Sequence, residues 1–119
     1  MYNYFMLMGR LVVDPEVKEL SDGKKVMNVR LAVSRGFQNL KGEYETDFFT
    51  IVFWDYLVDY AKDNLKKGLP VLIKGRIQTT KAEMANGYNL TYPTLIGERI
   101  MFFNNTFVPQ KEEEDKTEK

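Results

Sequence analysis

The 119-residue sequence predicts an all-β domain, a five-stranded Greek-key barrel with one short helix between strands three and four. Three observations carry that expectation. Apolar and polar residues alternate with a period of two in several separate stretches. Turn residues divide those stretches, and only the segment after Trp54 has helical spacing.

The first strand is expected over residues 4–13, interrupted by Gly9, which marks a bulge or sharp bend. Leu20-Ser21-Asp22-Gly23 carries the chemistry of a tight hairpin turn, so this strand should pair antiparallel with the next. The second strand, residues 26–35, sets Met27, Val29, Leu31 and Val33 on one face and Asn28, Arg30, Ala32 and Ser34 on the other. Residues 36–44 read as an exposed loop or hairpin tip, and residues 46–54 as the third strand. Asp55 is an N-cap candidate. Leu57, Tyr60, Ala61 and Leu65 follow at helical spacing, with Lys66, Lys67 and a Gly68 stop.

Residues 70–78 alternate again, with Val71, Ile73 and Ile77 opposite Leu72, Lys74, Arg76 and Gln78. Asn86-Gly87 is the strongest short hairpin signal in the chain and separates arms at residues 79–85 and 88–94. The last strand should run over residues 95–103, with Pro93 marking an edge or bulge. Three strands, a helix and two strands, with a glycine inside the first, suggest a barrel of the OB type. The alternatives from pattern alone are another small β barrel and an α+β sandwich.

Composition excludes several functions. With no cysteine there is neither a disulfide framework nor a thiol nucleophile, and with no histidine there is no imidazole for zinc binding or acid and base chemistry near neutrality. No stretch approaches the roughly 20 apolar residues of a membrane-spanning helix, and the amino end lacks the marks of a secretory signal, so a cytoplasmic protein is expected. No phosphate-cradling glycine loop, catalytic triad or cofactor motif is present, and binding is a better reading than catalysis. The zero net charge divides unevenly: residues 111–119 hold five acids and three bases, leaving 14 of the 17 bases against 12 of the 17 acids on the body. Residues 1–103 are therefore read as one mildly basic domain and residues 104–119 as a short acidic tail that cannot bury enough surface to stay ordered.

The third strand, TDFFTIVFWD with its flanks, has large rings at both parities. Phe49, Ile51 and Phe53 form the core side, which leaves Phe48, Thr50, Val52 and Trp54 facing outward. A nucleic-acid strand, a subunit interface, or the neighbouring helix and hairpins would cover such rings. Base stacking on aromatics needs cations nearby to hold phosphates. The outward parity of the neighbouring strands offers Arg30, Arg35, Lys74 and Arg76, and Phe37 stands in the polar loop just beyond Arg35. Glu43, Glu45 and Asp47 alternate, but exposed like charges on a strand serve solubility and edge protection, and no metal site is expected.

Six segments together resemble the bacterial single-stranded DNA-binding protein family: Gly9-Arg10-Leu11, Asp14-Pro15-Glu16, Asn28-Val29-Arg30-Leu31-Ala32-Val33, Asp47-Phe48-Phe49, Leu65-Lys66-Lys67-Gly68 and Val71-Leu72-Ile73-Lys74-Gly75-Arg76. The resemblance runs in order over about residues 1–103. It implies an OB-fold that binds single-stranded DNA without sequence preference, as a homotetramer, in replication, recombination and repair. Phe37 and Phe48 fall where the family has stacking tryptophans, and Trp54 where it has a stacking phenylalanine. Arg30, Arg35, Lys74, Arg76 and Lys81 would track the phosphates. The family's fourth aromatic falls at about Ala82, with Tyr88 across the turn as a substitute. The tail lacks the apolar tip ending in phenylalanine with which family members recruit replication and repair proteins, so weak or absent tail-mediated recruitment is expected. The rival readings are an OB-fold protein-interaction module of the primosomal type and an enzyme built on scattered carboxylates.

Overall fold

Alternation decides the inside of the molecule. In the computed structural model, which describes residues 1–103, β3 (Lys25–Gln38) buries Met27, Val29 and Leu31 completely while Asn28 and Arg30 stay exposed. β4 (Tyr44–Trp54) does the same with Ile51 and Phe53. Val71 and Ile73 of β5 (Pro70–Glu83) complete the wall, and Leu11 of β1 (Phe5–Leu11) and Ile100 of β6 (Asn89–Phe102) close over the same apolar cluster. The short helix α1 (Tyr56–Ala61) plugs one end with Val58 and Ala61, joined by Leu65.

The strands follow the order β1-β5-β6-β4-β3, and β1 returns to β3 through Arg10↔Ala32 and Leu11↔Leu31. That second pairing closes a five-stranded barrel. All its pairings are antiparallel except β4 with β6, which run parallel at Ile51↔Leu95 and Val52↔Ile96. The expected OB barrel, with its helix between the third and fourth barrel strands, is the fold observed.

The bend expected at Gly9 is where β1 changes partner, lying along β5 through Arg10 and reaching β3 at Arg10 and Leu11. A side chain at position 9 would drive into the Ala32 carbonyl, so only glycine permits this crossing.

Several expectations need correction. A sixth strand, β2 (Glu16–Glu19), pairs with residues 25–28 of β3, and the Leu20–Gly23 turn joins these two rather than β1 and β3. All four β2 residues are exposed, so no apolar alternation announced it. The arms around Asn86-Gly87 are not separate pieces: β5 and β6 are continuous 14-residue strands paired from Val71↔Phe102 out to Glu83↔Asn89, with Pro93 opposite Thr79. Ile77, placed in the core by parity, is 39% exposed at the last ribbon pair that still touches the barrel, where its partner Leu95 pairs with Ile51 of β4.

The helix has only six residues, and Asp55 makes no side-chain cap. Instead the Asp55 N–H donates to the Lys25 carbonyl at 2.9 Å, tying the helix entrance to β3. Lys66 and Lys67 lie beyond the helix, where the Lys67 N–H donates to Asp14 Oδ1 at 2.6 Å. The tail read as disordered, residues 104–119, and its recruiting role lie outside the described residues. Among the described residues no helix is long and apolar enough to cross a membrane.

Candidate nucleic-acid interface

The outward parities of β3 and β4 share one face because the strands pair in register: Val26↔Trp54, Asn28↔Val52, Arg30↔Thr50 and Ala32↔Phe48. The side chains predicted to point outward do so, with Phe48 53% and Trp54 37% exposed. Both rings line one surface groove of about 710 Å³, whose far wall is the start of the β5–β6 ribbon with Gln78, Thr80, Tyr92 and Thr94. A second depression, reaching Arg30 and Lys18, shares Asn28 and Thr50 with the first, so the two are continuous across β3 and β4. The two rings stand six positions apart along β4, about 20 Å at ~3.3 Å per residue.

The cations distribute less simply than the sequence suggested. Arg30 lies over the Phe48 ring, 5.2 Å from its centroid, and has no ion pair among the described residues. A positive charge thus sits against an exposed aromatic face. Arg35 is occupied: its Nε and Nη2 donate to the two Asp47 carboxylate oxygens at 3.0 and 2.9 Å, and Nη1 donates to Glu45 Oε1 at 3.1 Å. The hydrogen bonds and charge of Asp47, with the charge of Glu45, raise the Arg35 pKa, and the Arg35 guanidinium lowers that of Asp47. Two of the three alternating carboxylates therefore serve as partners of one arginine rather than as free surface charge.

Lys74 and Arg76 are not on a strand adjacent to β4, because β6 intervenes. Arg76 donates to Glu98 at 2.9 Å and to Gln78 at 3.1 Å, which brings it to the end of the groove wall. Lys74 sits on the wall shared with β1, its Nζ 5.7 Å from the Tyr4 ring centroid. Lys81, opposite Thr91, is of the other ribbon parity from Thr80 and Tyr92.

Phe37 is 67% exposed near the tip of the β3–β4 hairpin, in a depression of its own with Leu40, Lys41, Glu43 and Glu45. The structure therefore brings Phe48, Trp54 and Arg30 together and leaves Phe37 apart. Tyr88 is 71% exposed at the ribbon's end, and Ala82 lies opposite Leu90. Asn28, Gln78, Thr80 and Tyr92 also line the groove and were not singled out from sequence, although Asn28 and Gln78 lie on the outward parities that were read. Tyr92 shares parity with Tyr88, a signal that was available.

A sequence profile of the Single-strand binding protein family matches residues 2–103. The chain belongs to that family. Among its family relatives, "Single-stranded DNA-binding protein B" of Bacillus subtilis (strain 168) is 35% identical over 104 residues, 87% of this chain and 92% of that protein. The "Single-stranded DNA-binding protein" of Halalkalibacterium halodurans is 36% identical over 102 residues, 86% of this chain but 61% of the relative's length. The chain thus spans under two thirds of that longer family member. Among solved structures, "Plasmodium falciparum SSB complex with ssDNA" superposes with a TM-score of 0.73 at 28% identity, covering 87% of this chain and 97% of the other. Phe48, Trp54 and Tyr92, each exposed, lie along this groove rather than in the core.

Proposed function

We propose that this chain binds single-stranded DNA without sequence preference, as a cytoplasmic, nucleoid-associated protein of DNA replication, recombination and repair. The observation that carries the reading is the pair of exposed rings, Phe48 and Trp54, on one groove with Arg30 against Phe48. Rings stack any base, and cations hold phosphates irrespective of sequence, so the pair has no means of reading base identity. Phe37 and Tyr88 extend the stacking path at the two hairpin tips. Lys74, Arg76 and Lys81 add phosphate contacts, and Arg35 joins them only where a phosphate displaces its two carboxylates.

The chain acts as a homo-oligomer, a tetramer by family likeness. Support comes from the outer wall of β1, β5 and β6, where Met8, Leu72 and Met101 line up in one row across three strands. Met8 and Met101 are each more than half exposed, beside exposed Met6 and Tyr4. A contiguous apolar strip of this kind marks a protein contact.

The sole tryptophan reports on the site. Titrating Trp54 emission with a long oligothymidine at low and high salt should give strong quenching that weakens as salt rises. Unchanged emission together with no gel retardation would overturn the reading.

A further inference from the structure

We infer that Tyr92 is a base-stacking residue of this chain, so the bound strand turns from Trp54 and Phe48 onto the β5–β6 ribbon. Tyr92 lines the same groove as the two rings of β4, and its side chain is 41% exposed with no hydrogen bond to any described residue. Its position is fixed from both sides. It pairs with Thr80, and the Thr80 and Thr94 hydroxyls bond to each other at 2.5 Å beside it on the same face.

The neighbouring small residue explains why the ring is open. Ala82 pairs with Leu90 and is therefore the diagonal neighbour of Tyr92, at a spacing where a large aromatic would pack against the tyrosine. Alanine leaves that face uncovered. Leu90 and Tyr88 continue the parity outward, both exposed, so the apolar track runs from the groove to the hairpin tip. The inference rests on the single-stranded DNA reading and assigns a further residue to it.

The test moves the reporter. In the double variant Trp54→Phe, Tyr92→Trp, a ring remains at 54 and the only tryptophan stands at 92. Oligothymidine should quench its emission. In the otherwise native chain, Tyr92→Phe should bind as the wild type does, whereas Tyr92→Leu should bind roughly five- to 150-fold more weakly with an unchanged salt slope. Leucine keeps the apolar bulk of an exposed strand position, so an unchanged melting temperature separates lost stacking from lost fold. Wild-type affinity in Tyr92→Leu, or an unquenched tryptophan at 92 in a protein that still retards DNA, overturns the assignment and leaves the DNA-binding reading standing. A wild type that neither retards DNA nor shows quenching of Trp54 removes both.

Discussion

Phe48 and Trp54 keep much of their ring area in water on a barrel wall whose interior is already filled by Ile51 and Phe53. Phe48→Ala should therefore weaken oligothymidine binding by about 1–3 kcal/mol in a fluorescence titration. Folding stability should fall by less than about 1 kcal/mol, since the exposed contact with Arg30 is its main loss. Asp47 offers a second prediction. Arg35 holds its carboxyl below the ordinary value of 3.8, so the bridge contributes fully above that pH and is lost as the pH falls through the lower native value. Below 3.8 the unfolded chain binds the proton more readily than the folded one, and acid favours unfolding. Urea melts from neutral pH down to about 3 should show a smaller acid loss for Asp47→Asn than for the wild type. The same substitution leaves Arg35 held by the Glu45 carboxylate alone, and oligothymidine binding should tighten at low salt, with a slope steeper by up to about 0.7. The outward rings and Arg30 were legible in the sequence because a strand's parity is strict. That Arg35 is occupied was not legible as a specific contact, since bidentate pairing depends on cross-strand register.

At the scale of elements, strong local signals were read correctly. The alternation of β3 and β4 and the Asn86-Gly87 turn appear where expected, with Gly87 at φ 87°. β2 escaped because Glu16–Glu19 buries nothing and is a strand only by pairing with β3. The length of β5 and β6 escaped for a related reason: beyond the Ile77↔Leu95 pair they hold each other as a ribbon rather than facing the core. Gly9 is the element-level feature with the sharpest consequence. Gly9→Ala sets a methyl group against the backbone carbonyl of Ala32, which no rotamer change relieves. The urea midpoint should drop by the equivalent of about 1–3 kcal/mol or more with the m-value unchanged, as overpacking predicts. An unchanged midpoint would mean that the β1–β3 crossing is looser than its geometry.

For the whole molecule, barrel closure buries one face of every barrel strand and leaves the apolar row of Met8, Leu72 and Met101 on the outer wall of β1, β5 and β6, beside Lys74. If Met8, Leu72 and Met101 meet another copy, Met8→Glu with Met101→Glu should reduce the sedimenting mass to that of one chain while circular dichroism stays native. A wild type that already sediments as a single chain would refute the oligomer. By itself the sequence determined the alternating faces, the two aromatic rings that the core cannot use and the absence of thiol or imidazole chemistry. These depend on residue type and a two-residue period. Only the tertiary structure decided which strands are neighbours: it put β6 between β4 and β5, moved Lys74 to another wall and brought Tyr92 to the groove. The reason is physical: parity fixes which side of a strand a residue takes, but long-range pairing fixes which surface that side becomes part of.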